Sequence, residues 1–320
     1  MSSAEVFSDH RFLIIAGTSK AGTTSVFNYL AKHPEIRATE VKETRFFLDA
    51  DYPLRSEMRY ERDGALAYLT FFDFTKEPRG ETWSLEATPD YLYSPGAPGL
   101  IRETLPSARL IFLLREPISR LLSFYQFGKQ ISKIPQAMSF DQYVDLQRTA
   151  RGAYSSRGYR HPAYRALQHG RYSNYLRRFL ELFGRSAIYV AFYEELKCDP
   201  RLFMVSLCQW VGIDGSYFHD YRFEVTNKGV KMRSPRLNRV YYEARQKARQ
   251  LVRDRQGLRS VLGRVGAGVN AVYRKMNVTK RREVIISRST EDFLSEYYRE
   301  EAPRLREMLG IEAPWPDRAV

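Results

Sequence analysis

The chain of 320 residues has only two cysteines, Cys198 and Cys208, so no disulfide framework is available to hold it. Its five histidines are scattered and show no metal-ligand spacing. No run approaches the ~20 apolar residues that span a bilayer. No apolar or Arg-rich leader precedes the first strand-like run, which predicts a soluble, reducing, cytoplasmic setting. Internal repeats, low-complexity tracts and a strong linker are also lacking, so the sequence predicts one domain over 1–320 with a normal hydrophobic content of 43%. Acidic charge is short in one place. Residues 231–282 hold 16 Lys/Arg against Glu243 and Asp254, so this segment alone carries as much as the net +14 of the whole chain. Its apolar positions Leu237, Val240, Tyr241, Ala244, Leu251 and Val252 fall on one helical face with the basic residues opposite. Two readings stay open: a helix docked by its stripe with a solvated charged face, or a surface that attracts an anionic acceptor or an anionic membrane.

What is present begins with Phe12-Leu-Ile-Ile-Ala-Gly-Thr-Ser-Lys-Ala-Gly-Thr-Thr-Ser-Val-Phe27. This reads as a buried strand, a loop bracketed by Gly17 and Gly22, and a helix starting at Thr23 and Thr24. Free backbone N–H groups and the helix dipole point the same way there, which makes an anion site. The frame departs from the nucleoside-triphosphatase loop, because Thr23 stands where its lysine belongs and the only lysine is Lys20. A lysine inside the loop suits a 5′-phosphosulfate better than a β/γ-phosphate pair with Mg²⁺. Further on, Arg109–Leu114 is the clearest buried strand, and Trp83–Ala87 and Ala187–Phe192 are two more. The alternation of strands and helices through residue 211 predicts an α/β fold with a central parallel sheet flanked by helices. Helical additions follow, including a single helix over Glu291–Leu309.

The motifs extend along most of the chain. Gly17–Thr24 is followed by His33-Pro34, Lys42-Glu-Thr-Arg-Phe-Phe47, Glu86-Ala-Thr-Pro-Asp-Tyr91, Leu114-Arg-Glu-Pro-Ile-Ser-Arg-Leu-Leu-Ser123, Gly170-Arg-Tyr172, Tyr193-Glu-Glu-Leu196, Asp199-Pro200, Asn227-Lys-Gly229 and Phe293–Trp315. In this order they resemble the sulfotransferases that use 3′-phosphoadenosine 5′-phosphosulfate (PAPS), most closely the heparan sulfate type with its K-E-x-H-F-F motif. The resemblance implies the P-loop-like sulfotransferase fold. It implies PAPS as donor, adenosine 3′,5′-bisphosphate as product, and no required metal. It also implies an acceptor hydroxyl on a saccharide or glycoconjugate, which the basic segment would suit if that acceptor is anionic or lipid-linked. No specific nucleic acid is expected.

Sulfuryl transfer needs a base beside the attacking hydroxyl and cations beside the departing phosphate oxygen. The resemblance assigns Glu43 as base. Lys20 is the cation on the leaving side, and Lys42 is either a second cation or a surface lysine. Lys20, Ala21, Gly22, Thr23 and Thr24 form the donor loop. Arg115 and Ser123 are similar to the family's 3′-phosphate pair, with Arg120 left as structural. Lys228 and Gly229 resemble the late loop over the same phosphate, against the plainer reading of a basic loop. Arg45, Thr88 and Asp90 are expected on the acceptor side. Arg45 replaces the family's histidine and Ala87 replaces its lysine, so the acceptor should differ from a standard heparan substrate. The competing readings are sulfation of a small secondary metabolite, a P-loop kinase, and a non-enzymatic binder of membranes or nucleic acid. The kinase reading lacks both the loop lysine and an acidic Mg²⁺ partner. The binding reading leaves the loop and Glu43 unexplained.

Overall fold

The computed structural model describes residues 3–75, 82–149, 161–224, 231–232, 278–279 and 284–316. Lys228, Gly229 and nearly all of the basic segment 231–282 lie outside these. Five strands form one parallel sheet: β1 (Arg11–Gly17), β2 (Ile36–Ala38), β3 (Trp83–Ala87), β4 (Arg109–Leu114) and β5 (Ile188–Phe192), in the order β2-β3-β1-β4-β5. Past their first residues, strands β1 and β4 are apolar without alternation because helices cover both sheet faces, and β3, though it carries Ser84 and Glu86, is buried along its whole length. Phe12, Ile14 and Ala16 of β1 point into one core layer, and Leu13 and Ile15 point into the other. β4 divides in the same way, with Leu110, Phe112 and Leu114 opposite Ile111 and Leu113.

The described helices, in chain order, are α1 (Ser3–Ser8), α2 (Thr23–Leu30), α3 (Tyr60–Asp63), α4 (Ala97–Thr104), α5 (Pro117–Gln130), α6 (Phe140–Thr149), α7 (Ser173–Phe183), α8 (Tyr193–Cys198), α9 (Pro200–Val211), α10 (Arg288–Tyr298) and α11 (Glu301–Leu309). α4, α7 and α11 pack on one face of the sheet and α2 and α9 on the other. A third cluster joins α5, α6 and α10 through Leu121, Phe124, Phe140, Tyr143 and Leu294. The stretch Lys129–Gly170, whose weak periodicity reads in sequence as an acceptor-side lid, thus contains the packed helix α6. Cys208 is buried and Cys198 exposed.

Two expectations need correction. The Pro- and Gly-rich run Ser94-Pro-Gly-Ala-Pro-Gly99 reads in sequence as a turn-rich break, but residues 97–99 open α4, with Pro98 in the first turn, where its missing N–H costs nothing. The single C-terminal helix is two helices, α10 and α11. Pro303 explains the break, since in a continuous helix its ring would collide with the carbonyl of Arg299. Restarting at Glu301 puts that proline in a first turn. The break also aims the buried Glu301 carboxylate at Ser173, which it receives from both N–H (2.7 Å) and hydroxyl (3.0 Å).

Because every strand of the large sheet is parallel, all five carboxyl ends lie along one edge. The chain leaves β1 and β4 in opposite directions from neighbouring positions, which opens a crevice where ligands bind in such sheets. The segments that leave these ends are 18–24, 39–45, 88–90, 115–123 and 193–196.

Candidate active site

All the described residues singled out from the sequence lie on these five exits. The loop after β1 begins where Gly17 presses against Phe112. A Cβ on Gly17 would stand 2.9 Å from that ring and 3.0 Å from Leu92. Gly22 has φ +88°, and a Cβ there would meet Leu196 at 2.8 Å, so both the backbone and the space require glycine. Gly22 then serves as N-cap of α2 without any side-chain cap, leaving the positive end of the helix turned into the loop. Ala21 and Thr23 are buried, while Ser19, Lys20 and Thr24 are partly open. Lys20 extends over the Phe127 ring of α5, its ammonium 4.2 Å from the ring centre.

Arg115 leaves the end of β4 and meets this loop directly. Its Nη1 donates to the Lys20 carbonyl at 3.2 Å, and its guanidinium lies 4.5 Å over the Tyr193 ring. Its buried Nε has no partner among the described residues, which suits an anion held by the loop. Tyr172 fixes the same turn, donating to the Arg115 carbonyl at 2.6 Å. Glu116 caps α5 by accepting from Ile118 and Ser119 N–H. Ser123 is half-buried further along that helix. The loop, the uncapped α2 terminus and the Arg115 guanidinium thus fit an anion of the nucleotide-phosphate type.

Across the crevice lies the turn after β2. Glu43 receives Lys42 Nζ at 2.9 Å and Arg45 Nη2 at 3.0 Å, and its side chain is about a third exposed at 34%. Burial pushes its carboxyl up, but the Lys42 and Arg45 charges outweigh that and hold it below the ordinary carboxylate range. Glu43 is therefore ionised at neutral pH and able to take a proton. Arg45 also donates through Nη1 to the Arg55 carbonyl at 3.0 Å, which splays its guanidinium between Glu43 and the neighbouring chain.

Asp90 links the two sides. It accepts from Tyr52 OH at 2.9 Å and from Ser19 Oγ of the loop at 3.4 Å. Burial, and then the Glu43 charge, push its carboxyl up to about 6. Thr88, expected to touch the acceptor, has no exposed surface. Its hydroxyl donates to Glu86 Oε1 at 2.5 Å and accepts from Arg45 N–H at 3.0 Å, so it serves the turn and not a ligand. His161, beyond α6, is pushed down to about 4 by burial, then by the Lys133 and Arg45 charges.

Sequence reasoning gave no role to Tyr193, Tyr93 or His169 here, and left Arg120 as structural. Tyr193 lies under the Arg115 guanidinium and beside the loop, where a Cβ on Gly22 would meet its ring at 3.1 Å. Tyr93 hydrogen-bonds Thr18 and stacks on His169 with ring centres 3.8 Å apart. Arg120 has no exposed surface and donates to the Ala166 carbonyl at 2.9 Å among Tyr93, Phe124 and Tyr172. Only the R-x-P-x-x-R-x-x-S spacing pointed toward Arg120. Among the described residues no cluster of His, Cys, Asp and Glu has the arrangement of a metal site.

A strand–loop–helix anion cradle and an ionised glutamate, both on the carboxyl edge of one parallel sheet, make the arrangement of a group-transfer enzyme handling an anionic donor. The sulfotransferase-domain family profile matches residues 10–248, and the chain belongs to that family. The slime-mould (Dictyostelium discoideum) membrane-associated sulfotransferase kil1 is 35% identical over 135 residues, 41% of this chain and 26% of kil1. Mouse bifunctional heparan sulfate N-deacetylase/N-sulfotransferase 4 is 26% identical over 222 residues, 67% of this chain and 24% of the mouse protein. Human heparan sulfate glucosamine 3-O-sulfotransferase 3B1 is 28% identical over 187 residues, 58% of this chain and 42% of the human protein. The matched region thus spans 24% to 42% of the length of these relatives. A solved sulfotransferase from Alicyclobacillus acidocaldarius superposes with a TM-score of 0.63 at 20% identity, covering 94% of this chain and 96% of that one, a likeness of fold.

Proposed function

We propose that this protein transfers a sulfuryl group from PAPS to a hydroxyl on a saccharide or glycoconjugate. The observation that carries the reading is the Glu43 carboxylate, ionised between Lys42 and Arg45 on the same sheet edge as the anion loop, to which Asp90 is bonded through Ser19. The saccharide acceptor draws its support from the heparan sulfate relatives, and Arg45 and Ala87 make the acceptor chemistry of this chain its own.

In this reading the loop 20–24 and the α2 terminus hold the 5′ anion, while Arg115 and Ser123 hold the 3′-phosphate. When bound, the donor supplies a sulfuryl group on a phosphate leaving group. Glu43 accepts the proton of the acceptor hydroxyl, and the Lys42 and Arg45 cations keep it ionised until then. Lys20 and the loop N–H groups balance the charge that grows on the leaving side. A base so placed contributes about 10²–10⁴-fold in rate.

The test combines binding and turnover. Adenosine 3′,5′-bisphosphate without metal should raise the melting temperature, with about 2.7 kcal/mol of stabilisation at ~100 Kd. With PAPS and candidate saccharides, mass spectrometry should find products heavier by SO₃. Glu43→Gln should keep the bisphosphate affinity and lose roughly 10²-fold or more in turnover. Stabilisation by ATP–Mg²⁺ and not by the bisphosphate would favour a kinase. Wild-type turnover in Glu43→Gln would remove Glu43 as base.

A further inference from the structure

The turn carrying Glu43 has an unusual backbone. Glu43 has φ +67° and Arg45 φ +59°, both left-handed and neither a glycine. Such residues persist only where their surroundings over-determine them. Here the surroundings are β3 and its exit. Glu43 N–H donates to the Ala87 carbonyl at 2.9 Å, Thr44 N–H to Glu86 Oε1 at 3.3 Å, and Arg45 N–H to Thr88 Oγ1 at 3.0 Å. Phe46 N–H donates to Thr44 Oγ1 and Phe47 N–H to the Tyr91 hydroxyl, each at 3.3 Å. Five consecutive N–H groups are therefore held.

One atom joins most of these bonds. Glu86 Oε1 accepts from Thr44 N–H, from Thr44 Oγ1 at 3.0 Å and from Thr88 Oγ1 at 2.5 Å. Thr88 in turn receives Arg45, and Thr44 receives Phe46. Glu86 lies in β3 between two other strands and has no exposed surface, while its Oε2 has no partner among the described residues. A carboxylate placed there at the expense of its hydration needs a structural return, and the bonds on Oε1 are all made to the turn.

We propose that Glu86 is the positioning residue of the catalytic turn, its buried carboxylate fixing Thr44 and Thr88 so that Glu43 and Arg45 hold their left-handed backbone and the Glu43 carboxylate faces the donor loop. This rests on the reading of Glu43 as base. Glu86 touches neither donor nor acceptor and acts through the backbone of 43–45.

The test is a mutant cycle with a structural readout. Glu86→Ala should lower kcat by about 10²-fold, the cost of misplacing a reacting group by roughly an ångström. Bisphosphate affinity should stay at the wild-type value, and amide hydrogen exchange across 43–47 should speed up. Glu86→Gln keeps an acceptor oxygen and should retain most of the turnover. In a Glu43→Gln background, Glu86→Ala should cost nothing further, because the two residues act as one unit. Equal losses of kcat in both backgrounds, or unchanged exchange over 43–47, would overturn the proposal. If Glu86→Ala does not accumulate as folded protein, Thr44→Val and Thr88→Val each remove one bond to Glu86 and one from the turn backbone, and carry the same measurements. If Glu43→Gln alone keeps full turnover, the base assignment fails by itself, and the exchange data still decide whether Glu86 holds the turn.

Discussion

Glu86→Gln should change how stability depends on pH. Burial pushes the Glu86 carboxyl from 4.5 up to about 7, with the bonds from Thr88 and Thr44 opposing only part of that. The native state therefore binds the Glu86 proton more tightly than the unfolded chain does. The sign follows: this contribution to stability is full below the ordinary value and is lost as the pH rises to about 7 and beyond. At about 1.36 kcal/mol per pH unit, the ionised carboxylate costs the native state about 3 kcal/mol at pH 8. At pH 5, only about half a unit above the ordinary value of 4.5, the cost is below about 1 kcal/mol. Asp90, pushed up to about 6, has the same sign but is present in both proteins and cancels in their difference. The variant should therefore gain about 2.5 kcal/mol on wild type between pH 5 and pH 8, whatever fixed offset the amide brings. Urea unfolding of both proteins at the two pH values, with unchanged m-values, measures this double difference. A difference that does not vary with pH would mean that Glu86 is hydrated, and the account of the turn above would fall with it.

Three further outcomes follow from the donor side. Gly22→Ala puts a side chain at φ +88° and 2.8 Å from Leu196, so it should lower the melting temperature and weaken bisphosphate binding together; unchanged binding would show that the loop is not the donor cradle. Arg115→Ala removes charge-assisted hydrogen bonds of about 1.5–3 kcal/mol and should raise the donor KM roughly 10- to 100-fold, with the acceptor KM unmoved in steady-state kinetics. Arg115→Lys should fail to rescue it, since an ammonium cannot reproduce the planar fork.

Much of this site is legible in the sequence because the physics there is local. Gly17 and Gly22 are spaced for a strand, a loop and a helix start, and apolar Arg109–Leu114 can only be a strand covered on both faces. Once the sheet is parallel, everything that follows a strand falls on one edge, so the order of motifs along the chain already gathers Lys20, Glu43, Asp90 and Arg115. The role of Thr88 was misread because its threonine hydroxyl looks the same in sequence whether it faces a ligand or a neighbouring carboxylate. Pro303 did carry the signal for the break between α10 and α11, and the apolar periodicity around it masked that signal.

What sequence does not carry is the backbone of 43–45. Nothing in Glu-Thr-Arg announces two left-handed residues, because neither is the glycine that usually marks them. The conformation is imposed from a strand 40 residues away. Glu86 itself was open to inference by a different route. In Trp-Ser-Leu-Glu-Ala a period-two reading would give the glutamate a wet face, yet β3 pairs with β1 on one side and β2 on the other and both of its faces are covered. A carboxylate in such a strand is buried whichever way it points, and must be bonded by something nearby. The hydroxyls within reach are those of Thr44 and Thr88, one on the turn that bears the base and the other bonded to it. The desolvation of Glu86 is thus tied to the geometry of Glu43, and a substitution that relieves the first without keeping an acceptor oxygen should stabilise the fold at high pH while loosening the turn.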